Sequence, residues 1–136
     1  MFSNANRPGF RTFYLALGAA TVLVGLVVRF HSDWMPRAAR DVTGDALWAT
    51  MIVCSISAIA PSLRPPTRYV AALLFCFAVE TSQLWHTPAL DYARSTRIGP
   101  LVLGSAFDPR DFVAYTVGIL GFIWFDQRLL RNRTPS

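Results

Sequence analysis

Four apolar runs, parted by short connectors of arginine and aspartate, decide most of what this chain can become. Thr12–Val28 gives 17 uncharged residues between Arg11 and Arg29, and Ala46–Leu63 gives 18 between Asp45 and Arg64. Tyr69–Leu90 gives 22, interrupted only by Glu80 and the neutral-capable His86. Phe112–Phe125 gives 14, and it gains length once the snorkelling ends from Pro109 to Leu130 are included. A helix crosses the hydrocarbon of a bilayer with roughly 20 such residues. The chain is 53% hydrophobic and 15% charged, against about 25% charged in a typical soluble domain. These features predict an all-α, four-span transmembrane helix bundle in a single domain, residues 1–136, with spans at about 12–29, 46–63, 69–87 and 109–128. The first run is followed by Arg29-Phe30-His31-Ser32-Asp33-Trp34, without a small-x-small cleavage pattern, and reads as a retained anchor.

All 13 basic residues are arginine, the net charge is +5 and the pI is near 10.0. They are scattered between the apolar runs with no basic helix face, a distribution that argues against nucleic acid. Their placement sets a direction instead. Arg7, Arg11, Arg64, Arg68, Arg128, Arg131 and Arg133 face only Asp126, while the first and third connectors each balance three arginines with three aspartates. Positive charge stays on the cytoplasmic side, so both termini are expected there. Cys54 and Cys76 lie inside apolar runs with no C-x-x-C and no Cys/His cluster; they read as small buried hydrophobes, not as a disulfide or zinc site.

The connectors carry local signals. Pro61 and Pro65-Pro66 mark a stiff turn between the second and third helices. Asp108-Pro109-Arg110-Asp111 reads as an N-cap followed by proline at N1, and Thr43-Gly44-Asp45 as the start of the second helix. Ala16/Ala20 and Ala114/Gly118 repeat small residues at the spacing that allows close helix approach. Trp34, Trp48, Trp85 and Trp124 fall near the expected interfaces, as an aromatic belt would. Ile98–Phe107 is too short to cross and is broken by Gly99-Pro100 and Gly104-Ser105. It is expected to form a short re-entrant or interfacial loop before the fourth helix, or an ordinary hydrophobic loop packed on helix ends.

Glu80, the only glutamate, is the residue this framework explains least easily. It falls about 18 Å along a helix that enters near Arg68, and an acid at such depth needs a partner or a proton. Gln83 and Thr87 are expected on the same helix face, with His86 close to it. Asp45, Asp111, Tyr115, Arg94, Arg97 and Arg110 all arrive at the same end of the bundle, so a polar chamber at the outer leaflet is expected. Structural roles compete: capping for Asp108 and Asp111, an end-anchor for Arg29, and a helix-pinning bond for Glu80.

The stretches Gly44–Ala49, Phe77–Leu84, Leu101–Asp111 and Phe112–Leu120 carry a resemblance to a family of small bacterial four-span membrane proteins, domain of unknown function family 2809. The layout also resembles the VanZ family of envelope proteins, with Glu80, Gln83, Arg94 or Arg97, and Asp111 at the matching positions. Tyr115 departs from the asparagine usual there, and the Asp45 region lacks the lysine and histidine of the early VanZ motif. The resemblance implies a bacterial cytoplasmic (inner) membrane protein of the cell envelope, multi-pass.

Three functions are weighed. One is an outer-leaflet site, built from Asp45, Glu80, Gln83, Arg94, Arg97, Arg110, Asp111 and Tyr115, for an anionic amphiphile such as a lipid-linked envelope precursor. Another is a non-catalytic subunit of a larger membrane complex, or a homodimer, reached through small-residue faces. The third is a membrane-embedded acid/base enzyme with Glu80, Asp111 and His86 as candidate catalytic groups. No metal-ligand spacing, nucleophile motif or phosphate-cradling glycine loop is found, so no metal or cofactor is implied.

Overall fold

The computed structural model describes residues 9–104 and 106–132, the side chains of 130–132 excepted. Arg7, Arg133, the Arg131 side chain and Ser105, all used in the sequence reading, lie outside the described residues. The described elements are six helices in the order α1 (Phe10–His31), α2 (Arg37–Ile59), α3 (Pro65–Ser82), α4 (Pro88–Ser95), α5 (Gly99–Leu103) and α6 (Pro109–Asn132), with no strand among the described residues. Two of them, α1 and α2, are long and apolar enough to cross a membrane. In α3 and α6 the apolar run is interrupted by Arg68, Glu80, Asp111 and Asp126, and these side chains turn inward: Arg68, Glu80 and Asp126 are buried and Asp111 is half-buried.

Helix α2 packs against α1, α3 and α6, and α3 packs against α6. The register follows from the closest approaches. Gly18 of α1 lies against the Cys54 side chain of α2. Gly118 of α6 lies against the Ala46 backbone, so close that any Cβ would collide with the Ala46 carbonyl. Asp126 bonds to Tyr69 near the start of α3, and Tyr115 bonds to Glu80 near its end. So α2 and α6 run parallel, and α1 and α3 run against them. One end of the bundle, the turn end, holds the Ala60–Arg64 turn. The other, the loop end, holds the α1–α2 connection and the segment from Gln83 to Asp108.

The core combines small residues with Val53, Ile119, Phe122 and the rings of Tyr14, Tyr69 and Tyr115. Ala49, Cys54, Ala72 and Cys76 are fully enclosed, with Ala114 and Ala58 nearly so. Other large aliphatic side chains point outward: Leu23, Leu74, Val113 and Leu120 are each more than half exposed. Outward aliphatic surface of this kind departs from a water-soluble bundle, in which the wide apolar stripe faces the core.

Several boundaries differ from the sequence expectation. Pro36, not Thr43-Gly44-Asp45, precedes the second helix, and α2 continues through Gly44; proline fixes φ and suits a helix start, while one glycine costs a helix only about 1 kcal/mol. Asp45 therefore lies inside α2. The third helix stops at Ser82, and Thr87 instead caps α4 by accepting the Leu90 N–H at 3.3 Å. Pro88 disfavours helical backbone at the residue before it, so Thr87 cannot share a helix face with Glu80. Ala16 and Ala20 are exposed, and the close crossing falls on Gly18 between them. The Ala114/Gly118 pair is buried, as its spacing suggests.

Candidate functional site

Glu80 has no exposed surface, and both carboxyl oxygens are occupied. Oε1 accepts the backbone N–H of Asp108 at 2.8 Å. Oε2 accepts Gln83 Nε2 at 2.8 Å and the Tyr115 hydroxyl at 3.0 Å. The three donors come from the C-cap of α3, from α6, and from the loop that returns to α6. Asp108 in turn caps α6 through its Oδ1, which accepts the Arg110 N–H at 2.9 Å, with Pro109 at the first helical position. One carboxyl thus fastens two helices and the end of the long loop. Hydrogen bonds to a charged group are each worth about 1.5–3 kcal/mol net, and donors enclosed without an acceptor would be costly.

The Gln83 amide completes this side of the site. It is 5% exposed, and Gly104, in a left-handed conformation at φ 69°, lies directly against it. A side chain on Gly104 would strike that amide. The left-handed backbone there favours glycine. Gln83 Oε1 is buried and has no donor among the described residues.

Beside Glu80 lies a second pair of acids. Asp45 of α2 and Asp111 of α6, both half-buried, lie beside each other as a carboxyl pair. An ionised carboxylate only accepts, so the two can bond to one another only by sharing a proton. Glu80 and Asp108 are near enough for their charges to bear on both, and Asp41 on Asp45. Trp48 stands at the edge of the cluster, its ring 5.5 Å from Tyr115 and stacked on Phe75 at 6.3 Å.

The arginines are arranged differently from the sequence expectation. Arg94 is buried and donates to the Trp85 and Ser82 carbonyls at 2.9 and 3.0 Å, with Asp91 at 3.6 Å. It closes the C-terminal end of α3, where carbonyls lack helical partners, and two of its nitrogens are thereby taken. Arg97 and Arg110 are exposed, and neither makes an ion pair among the described residues. His86 is exposed as well and meets Asp91 at 3.2 Å, not Glu80. Of the predicted site, then, Asp45, Glu80, Gln83, Asp111 and Tyr115 come together. Arg94 serves the loop, Arg97 and Arg110 stand at the surface of the same end, and His86 and Thr87 belong to the α4 region. Among the described residues no three His, Cys, Asp or Glu side chains converge as metal ligands.

A second polar cluster, at the turn end, was not legible from the sequence. Asp126 is 2% exposed, and its oxygens accept the Tyr14 hydroxyl at 2.6 Å and the Tyr69 hydroxyl at 2.5 Å. Arg68, 5% exposed, lies over the Phe10 and Tyr14 rings at 5.5 and 5.8 Å. One signal was available: Asp126 is the single acid among the arginines of that side, and Tyr14 is the sole hydroxyl-bearing ring in the first run.

No solved structure matches the chain. Residues 34–119, which run from the α1–α2 connection through Tyr115 and Ile119 and hold every member of the Glu80 cluster, match the family described as "Protein of unknown function (DUF2809)". The match covers more than half of the sequence, and the chain belongs to that family.

Proposed function

We propose that this is a four-span protein of the bacterial inner membrane, VanZ-like in layout, whose loop end binds the headgroup of an anionic amphiphile such as a lipid-linked envelope precursor. The outward aliphatic side chains of α3 and α6 support four crossings, because exposed apolar surface of this kind needs lipid or protein to cover it. The arginine excess at the turn end supports placing that end, and both termini, in the cytoplasm.

The observation that carries the reading is the layering of the loop end. Exposed Arg97 and Arg110 have no carboxylate partner among the described residues. Below the same rim lie acceptors: the enclosed Gln83 Oε1, which has no donor among the described residues, and the half-buried Asp45–Asp111 pair. A headgroup that joins a phosphate to hydroxyl or amine groups fits both layers, with the arginines on the phosphate and the carboxyls and amide on the donors. Glu80, fully hydrogen-bonded, acts as a positioning residue that holds α3, α6 and the loop in register. This favours binding over acid–base chemistry by Glu80.

The test is photo-crosslinking of the full chain in nanodiscs with a polyprenyl-phosphate-linked sugar carrying a diazirine. Labelling of peptides within 83–111, reduced at least about fivefold in the Arg97→Ala/Arg110→Ala double variant, is expected; the loss of two charge-assisted contacts is enough for that. Labelling indifferent to those arginines, or confined to the turn end, would sink the reading.

A further inference from the structure

The turn end holds a buried cation with incomplete partners. Arg68 is 95% enclosed, since its exposure is 5%. Yet its Nε and Nη1 are buried with no hydrogen-bond acceptor among the described residues. Asp126, the acid of that end, gives its two oxygens to the Tyr14 and Tyr69 hydroxyls and makes no ion pair with Arg68. What the guanidinium meets is the faces of Phe10 and Tyr14 and, at its edge, the Tyr14 hydroxyl, which leaves Nε and Nη1 unpartnered. Cation–π contacts orient an arginine but leave its in-plane N–H donors free. An enclosed donor without an acceptor is costly, and more so when it is charged, so such a group marks a place for an acceptor that is not among the described residues.

The surrounding charge gives the sign of that acceptor. The described charged residues of this end are Arg11, Arg64, Arg68 and Arg128 against Asp126 alone. Arg11, Arg64 and Arg128 are exposed, and Arg64 is the residue before the first turn of α3, one helical turn from Arg68. An anion that reaches this end meets a rim of exposed guanidinium groups and, beneath it, one that is oriented and unsatisfied.

We infer that Arg68 forms the floor of an anion site at the turn end that takes a phosphate group. This is independent of the loop-end reading, which involves the opposite end and other residues. Guanidinium favours phosphate through planar, charge-assisted bonds. The two sources of that chemistry are the headgroup of an anionic phospholipid and the free ion.

The experiment uses the full chain, purified in neutral detergent, with native mass spectrometry and thermal unfolding as readouts. One arm adds phosphatidylglycerol or phosphatidylcholine; the other adds inorganic phosphate or chloride at matched ionic strength. Preferential retention of phosphatidylglycerol by the wild type, with a rise in Tm, assigns the site to a lipid headgroup. A rise with inorganic phosphate over chloride assigns it to the free ion. Either preference is expected to weaken by roughly tenfold in Arg68→Gln, the size of one lost charge-assisted contact, to weaken less in Arg68→Lys, and to persist in Arg37→Gln at the other end. Equal responses in wild type and Arg68→Gln overturn the site. Should Arg68→Gln fail to fold, the wild type still decides: no preference for phosphatidylglycerol over phosphatidylcholine, and none for phosphate over chloride, overturns it equally.

Discussion

Glu80 and Asp126 are both buried acids near opposite ends of one bundle, and both are held by tyrosine hydroxyls. Their surroundings differ in sign. Among the described residues the loop end carries seven carboxyls (Asp33, Asp41, Asp45, Glu80, Asp91, Asp108, Asp111) and six arginines (Arg29, Arg37, Arg40, Arg94, Arg97, Arg110). The turn end carries Asp126 against four arginines. The binding partners differ as well. Glu80 gathers a backbone amide, a side-chain amide and a hydroxyl from three separate elements, whereas Asp126 gathers two hydroxyls from two helices. The comparison teaches that a buried carboxyl in a helix bundle is an organiser of whatever reaches it. At one end that is a loop and a neighbouring helix; at the other it is the second turns of two helices.

The largest test of this contrast is removal of the acids themselves. Glu80→Leu leaves three enclosed donors without an acceptor, and a cost of about 3–5 kcal/mol is expected, the range seen when one partner of a buried charged network is deleted. Thermal unfolding of the detergent-solubilised chain measures it, and exchange of the Asp108 amide should rise with it. Asp126→Leu orphans two hydroxyls and is expected to cost less, about 2–3 kcal/mol. An equal or reversed order would show that the loop end is not the more tightly organised of the two.

Next in size is the close helix crossing that holds both ends in register. Gly118→Ala places a methyl group against the Ala46 backbone, where nothing flexible can move aside. Overpacking of this kind costs about 1–3 kcal/mol. Gly121→Ala, three residues on, meets open space and is expected to be neutral or slightly stabilising through helix propensity. Similar costs for the two would break the register on which the comparison of ends is built.

The tyrosines sharpen the contrast further. Tyr115→Phe and Tyr69→Phe each remove one hydroxyl from a carboxyl that keeps other donors, so about 1 kcal/mol is expected for each. A double-mutant cycle separates pairwise coupling from general damage. Tyr115→Phe with Glu80→Gln should couple, as should Tyr69→Phe with Asp126→Asn, while the crossed pairs, which share no contact, should be additive. Coupling across the ends would mean that the two clusters form one network.

Much of this was legible in the sequence, in a physically consistent pattern. The four long helices follow from run length, because apolar length is a local property. Glu80 with Gln83 follows from i,i+3 spacing at the C-terminal end of α3. Tyr115, Asp45 and Asp111 follow from topology, since alternating helices bring their ends to one side. What was not legible depended on distance along the chain. The amide that Asp108 gives to Glu80 is a backbone group, invisible to residue type, and Tyr14 and Asp126 meet across 112 positions. Arg94 misled for a similar reason: arginine in a loop beside a carboxyl reads as an anion ligand, yet its guanidinium found nearer acceptors in the carbonyls that end α3. The extent of the third helix was overestimated because an apolar run continues past Ser82, although Pro88 and the turn before it had already ended the helix.

The smallest expected effect falls on His86, and it bears on chemistry more than on stability. His86 pairs with Asp91 at 3.2 Å, with side-chain exposures of 72% and 48%. An exposed pair of this kind is worth little, because solvent screens it and two side chains must be ordered to form it. His86→Gln is therefore expected to change stability by no more than about 0.5 kcal/mol. The same variant should leave crosslinking of the lipid-linked sugar unchanged, since the ring faces Asp91 and the Glu80 carboxyl is closed off by its own three donors. A loss of labelling in His86→Gln, with folding intact, would require the loop from Gln83 to Asp108 to rearrange when ligand binds. That rearrangement would first have to release the Asp108 amide from Glu80, so faster exchange of that amide in the presence of ligand would accompany it.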